Sequence, residues 1–65
     1  MKKQLLATSA TKEGMTKMIN EYFYSEKFRL TEDLEIIHPD KTDINDRYGV
    51  ERKKGRFRFY MIVND

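Results

Sequence analysis

The chain has 65 residues, and its length and composition restrict what it can be. A chain of this size forms one domain with a small core. It contains no cysteine, so disulfide bonds and thiolate metal sites are excluded. Its apolar runs fall far short of the ~20 residues of a membrane span, and Leu5-Leu6-Ala7 is shorter than the about 7–15 apolar residues of a secretory signal. We expect a single domain over residues 1–65, cytoplasmic and without a membrane partner.

Charge is distributed unevenly along the chain, although the net charge is only +2. Residues 1–26 carry four lysines and three acids, and residues 27–46 carry three basic residues and six acids. Residues 47–65 carry six basic residues and only two acids. A last third this basic raises the question of a nucleic-acid partner.

A helix is predicted after Thr11, which is the best candidate for its N-cap. Glu13 lies in the first turn, where the helix dipole favours an acid. Polar positions such as Asn20 fall on the side of the helix opposite the apolar residues. We expect the helix to run from Lys12 to about Tyr24. Its apolar stripe, at the spacing of an amphipathic helix, consists of Met15, Met18, Ile19, Tyr22 and Phe23.

Two shorter segments carry strand patterns. Apolar residues alternate with polar ones over 28–30 and again over 34–36, separated by the turn-like residues 31–33, so this region predicts a hairpin. Pro39 follows the second strand and cannot donate to a sheet ladder. Leu5 and Leu6 could form a further strand, but the pattern leaves open whether it joins the sheet.

The last third predicts a hairpin with a defined register. A two-residue turn at Lys54-Gly55 uses glycine where a positive φ is needed. The apolar residues of the two strands then face each other, Glu51 lies opposite Arg58, and Gly49 lies opposite Tyr60. The further pairs are Arg52 with Phe57, Val50 with Phe59 and Tyr48 with Met61. A slip of one residue would move every side chain to the wrong face of the sheet.

The elements together predict an α+β domain: one amphipathic helix packed on one face of an antiparallel sheet of about three to five strands. The helical stripe would pack on the apolar sheet face, and the other face would be solvated, as is usual for an antiparallel sheet. The expected core is completed by Phe28, Leu30, Leu34, Ile36, Val50, Phe57, Phe59 and Met61. The expected open face carries Arg29, Glu35, Glu51, Arg56, Arg58 and Tyr60.

No constellation in the sequence predicts catalysis or metal binding. His38 is the single histidine, without a second histidine or a cysteine to complete a metal site. Asp40, Asp43 and Asp46 do not have the spacing of a calcium loop, which also needs a glycine at its sixth position. The tetrapeptide 38–41 resembles the signature of J-domain co-chaperones, which lies between two long helices, whereas here it follows a predicted strand. We therefore predict no cofactor and no enzyme activity.

The basic hairpin is the remaining functional candidate. It interleaves basic and aromatic residues, and a two-stranded ribbon of this kind can contact phosphates or base edges. The first hypothesis is a weak, mainly electrostatic nucleic-acid-binding protein. The alternative is a protein-interaction or assembly module, with a protein partner or a second copy of the chain, in which the basic hairpin is only a solvating surface. The candidate nucleic-acid-binding residues are Arg47, Arg52, Lys53, Lys54, Arg56, Arg58 and Tyr60.

Overall fold

A three-stranded antiparallel sheet, one helix and a small two-stranded sheet form the fold in the computed structural model, which describes residues 2–64. The predicted α+β class is therefore confirmed. In chain order the elements are β1 (Lys2–Ser9), α1 (Lys12–Phe23), β2 (Arg29–Leu30), β3 (Ile36–Ile37), a 3-10 helix (Ile44–Asp46), β4 (Tyr48–Lys53) and β5 (Arg56–Val63).

The β4–β5 hairpin has the turn and the register that the sequence predicts. Lys54 and Gly55 form the turn, with φ of 54° and 78°. Positive φ at both positions matches the right-handed twist of the flanking strands. Val50 lies opposite Phe59, and the remaining predicted pairs are also present. The hairpin register is thus confirmed.

β1 pairs with the other side of β5, so the sheet order is β1-β5-β4. The first strand runs from Lys2 to Ser9, which settles that Leu5 and Leu6 belong to the main sheet. The pairing shifts by one residue between Leu5 and Ala7, which indicates a β-bulge. Both Leu6 and Ala7 pack against the core.

α1 begins at the predicted cap. The Thr11 side chain accepts a hydrogen bond from the backbone N–H of Gly14 at 3.0 Å, and this satisfies one of the otherwise unpaired N–H groups of the first turn. The helix ends at Phe23, one residue before the prediction, because Tyr24 adopts the left-handed conformation with φ of 53°. Its N–H then bonds back to the carbonyl of Glu21 at 3.3 Å.

The hairpin over 28–37 differs from the prediction, because it forms a sheet of its own instead of joining the main sheet. Its two strands have only two residues each. The Asn45 side chain accepts from the N–H of Ile36 at 3.0 Å and donates to its carbonyl at 2.8 Å. These are the backbone groups that another strand would need in order to pair with Ile36. Arg29 and Glu35 therefore do not lie on the open face of the main sheet.

The core lies between α1, the small sheet and the helix side of the main sheet. Met18 and Tyr22, predicted as core, are 38% and 44% exposed, although the Tyr22 ring still contacts that of Phe59, with 5.5 Å between the ring centres. Ile44, from the 3-10 helix before β4, is buried instead and belongs to the core. The buried apolar residues are Met15, Ile19, Phe28, Leu30, Ile36, Ile44, Val50 and Phe59.

Candidate nucleic-acid interface

The face of the main sheet that points away from α1 is polar near the turn and partly apolar at the other end. Side chains alternate between the two faces of a strand, and Val50 and Phe59 fix which positions face the core. We call the opposite side the open face. It carries Lys3, Leu5 and Thr8 from β1, Gly49, Glu51 and Lys53 from β4, and Arg56, Arg58, Tyr60 and Ile62 from β5.

The turn end of this surface is basic, and we call its four cations, Lys53, Lys54, Arg56 and Arg58, the basic end. Lys53 lies opposite Arg56, and Arg58 follows two residues along β5, on the same face. The first three residues of the basic end are exposed, and Arg58 is half-buried. Within residues 2–64 none of the four forms a salt bridge.

Two of the predicted binding residues lie elsewhere. Arg52 is on the helix side of the sheet, opposite Phe57, with its guanidinium carbon 5.6 Å from the centre of that ring. Arg47 precedes β4 and lies at the far end of the strand from Lys53, a separation of about 20 Å at ~3.4 Å per residue. Only five of the seven predicted residues are thus brought together on the open face and its turn.

Tyr60 is fixed in place from both sides of its ring. A Cβ atom added to Gly49 would lie 2.5 Å from Cζ of Tyr60, so the glycine provides the space in which the phenol rests. On the other side, Nζ of Lys3 lies 4.6 Å from the ring centre, within the range of a cation–π contact. The predicted pairing of Gly49 with Tyr60 is confirmed.

Glu51 is the one acid among the open-face residues, and its carboxylate is held by Lys3. The Nζ–Oε1 distance is 3.4 Å. Arg58 lies directly opposite Glu51 in the register, as predicted. Glu51 nevertheless forms its salt bridge with Lys3 of β1, whose side chain reaches across the central strand above Tyr60. The carboxylate of Glu51 is therefore bonded to Lys3, and no described residue forms a salt bridge with the guanidinium of Arg58.

Lys3 and Thr8 are open-face residues that sequence reasoning missed. The Leu5-Leu6-Ala7 run indicated a strand, but not its neighbour or its bulge. The alternation of residues around Leu5 would have placed Lys3 and Leu5 on one face. The bulge at Leu6 then shifts the alternation, so Thr8 also lies on that face, opposite Arg58.

The side of the molecule that carries the polar face of α1 has the opposite charge. An open groove there is lined by four acids and two lysines, together with His38, Tyr24 and small polar residues; the acids are Glu13, Glu21, Glu26 and Asp40. The His38 ring packs 4.5 Å from that of Phe28, and its Nδ1 accepts a hydrogen bond from the backbone N–H of Asp40 at 3.0 Å. These contacts give the histidine a structural role in the turn after β3.

The comparisons with known proteins add no assignment. No family model, curated protein or solved structure matches the chain. Within the described residues no helix is long and apolar enough to cross a bilayer. No group of three or more acidic or histidine side chains over 2–64 is arranged to hold a metal ion. The class defined by the fold is a small α+β domain whose sheet has one basic open face.

Proposed function

We propose that this protein binds nucleic acid weakly and mainly through electrostatic attraction, using the open face and the turn of the β4–β5 hairpin. The observation that supports this most is the basic end, whose four cations have no acidic partner within residues 2–64. Surface charges without a partner attract phosphates and release condensed counterions when they bind them.

The charge distribution of the whole molecule supports the same proposal. The open face and its turn carry five cations and one acid, and that acid is already bonded to Lys3. The groove beside α1 has an excess of acids. A domain with one basic and one acidic side is oriented by the field of a polyanion, so that its basic side approaches first.

The expected salt dependence follows from the number of cations. Four contacts with phosphates give a slope of about −3.6 in a plot of log K against log salt, which is about a hundredfold loss of affinity between 50 and 200 mM salt. Fluorescence anisotropy titrations with a labelled mixed-sequence oligonucleotide measure this slope directly.

A matched pair of variants separates a local site from an effect of net charge. In the first, Lys53, Lys54 and Arg56 are replaced by Gln, which removes three charges at the basic end. In the second, Lys17, Lys27 and Lys41, which lie outside the main sheet, are replaced by Gln, so the net charge changes equally. We expect the first variant to lose most of the affinity and the salt slope, and the second to lose little. Equal losses, or no loss in the first variant, would contradict the proposal.

A second candidate function is protein interaction, and one observation favours it. Tyr24 is 98% exposed and adopts a positive φ, a conformation that a residue with a Cβ atom takes at an energetic cost. An aromatic residue that gains neither burial nor easy backbone geometry is a candidate contact residue. Sedimentation velocity over a wide range of concentrations tests self-association, and Tyr24→Ser identifies the contact. A strictly monomeric profile, together with no complex formed in a lysate, would exclude this function.

A further inference from the structure

The ring of Tyr60 has close neighbours that a stacking ligand would have to displace. The phenol rests against the backbone at Gly49, where even a methyl group would not fit. The ammonium group of Lys3 lies over the ring, 4.6 Å from its centre, and forms a salt bridge with Glu51. A base can stack on an aromatic side chain only when one face of the ring is free. A base that stacked on the one aromatic residue of the open face would therefore have to displace the Lys3 ammonium group.

The other aromatic residues of the sheet point away from this surface. Phe57 and Phe59 pack with the core, and Tyr48 contacts Phe23 and Phe59 on the helix side. Among the described residues the open face thus combines cations with a covered ring. Proteins that bind single strands without sequence preference gain about 1–3 kcal/mol per base from stacking, and the open face has no uncovered ring to provide it.

We infer that the ligand of the open face is double-stranded nucleic acid, contacted at its phosphates, and not a single strand. This inference rests on the proposed function and specifies its substrate. A duplex presents rows of phosphates that need no ordering on binding, and contacts to them require only positioned cations. Arg56 and Arg58 are two residues apart on one face of β5, which separates their Cα atoms by about 7 Å.

Lys54 and Arg52 extend the contact beyond the flat surface. Lys54 is exposed in the turn, and Arg52 is exposed on the opposite side of the same hairpin. A hairpin tip with cations on both of its sides suits a site between two rows of phosphates, because each side of the tip then faces negative charge. In a duplex the two strands form such rows on either side of a groove.

The test compares a DNA duplex with one of its component single strands in the same anisotropy assay, at low and near-physiological salt. We expect the duplex to bind about tenfold more tightly, and Tyr60→Leu to change either affinity by less than about twofold, since no base stacks on the ring. Circular dichroism confirms that the variant is folded. Equal or tighter binding of the single strand, with a loss of about fivefold or more on Tyr60→Leu, would overturn the inference.

A second variant leaves Tyr60 in place. Lys3→Gln removes the cover of the outer ring face, so we expect the preference for the duplex to decrease. An unchanged preference would refute the reason given for it, because Lys3 would then not be what keeps bases from the Tyr60 ring. The proposed function fails separately: if neither oligonucleotide binds at low salt, nucleic-acid binding itself is wrong. If the single strand binds best and the basic end is required, only the choice of duplex is wrong.

Discussion

Replacing Asn20 by Ala gives opposite expectations from the sequence and from the structure. On the solvent side of a helix, where the sequence places it, this change improves helix propensity by up to about 0.7 kcal/mol. In the structure the Asn20 amide instead accepts a hydrogen bond from the N–H of Phe28 at 2.9 Å. It also donates to the carbonyls of Phe28 and Thr16, both at 3.2 Å. The side chain thereby ties the small sheet to α1.

The size of the loss follows from the partners that remain. Phe28 is fully buried, so its N–H would be left without an acceptor, at a cost of about 1–3 kcal/mol. Its carbonyl keeps the guanidinium of Arg29 at 2.8 Å, so only part of that bond energy is lost, about 0.5–1 kcal/mol. After subtracting the gain in helix propensity, we expect Asn20→Ala to destabilise the fold by about 2 kcal/mol.

Urea denaturation followed by circular dichroism measures this difference in the free energy of unfolding. The matched control is Glu21→Ala, which changes the adjacent exposed residue and should alter stability by no more than about 0.5 kcal/mol. A loss of about 2 kcal/mol is a large part of the roughly 3–5 kcal/mol expected for a domain of this size. If Asn20→Ala is as stable as the wild type or more stable, the argument that this amide holds the small sheet is refuted.

Two further predictions concern the hairpin turn and Tyr48. Gly55→Ala should destabilise the fold by about 1 kcal/mol, because the φ of 78° at this position disfavours a Cβ atom even though the surrounding space is open. Gly55→Asn should destabilise the fold less than Gly55→Ala does. Equal urea midpoints for the wild type and both variants would contradict this prediction. Burial, followed by the nearby Tyr22, raises the pKa of Tyr48 above its ordinary value of 10.0, although Arg47 lowers it slightly. The folded state therefore holds this proton more tightly than the unfolded chain, so the associated stability is fully present below pH 10 and is lost as the pH rises through the raised pKa. Tyr48→Phe should therefore lose less stability than the wild type above pH 10. If the free energy of unfolding of the two proteins falls identically with rising pH, this prediction is wrong.

The local parts of the fold were predictable because their signals lie close together in the chain. The cap at Thr11 and the apolar period of α1 define the helix within a dozen residues. The β4–β5 register follows from the Lys54–Gly55 turn and from the alternation on either side of it. The candidate site was read from this hairpin, and five of its seven predicted residues lie on the open face and its turn.

The errors arose where distant segments meet. The sequence places Asn20 on the polar side of the helix and predicts no contact for Asn45, yet their amides bind the backbones of Phe28 and Ile36, eight and nine residues away in the chain. Lys3 reaches Glu51 across 48 positions. No periodicity in the sequence encodes such contacts, because they depend on which elements become neighbours.

The sequence by itself determined the α+β class, the helix, the C-terminal hairpin and the basic character of its turn, since each depends on backbone preferences and side-chain alternation over short distances. The tertiary structure decided that β1 borders β5, that the small sheet stands apart, and that Arg52 faces away from the basic end. It also decided that Lys3 covers Tyr60. That contact requires two strands to pair from opposite ends of the chain, and it determines which kind of nucleic acid the open face is proposed to bind.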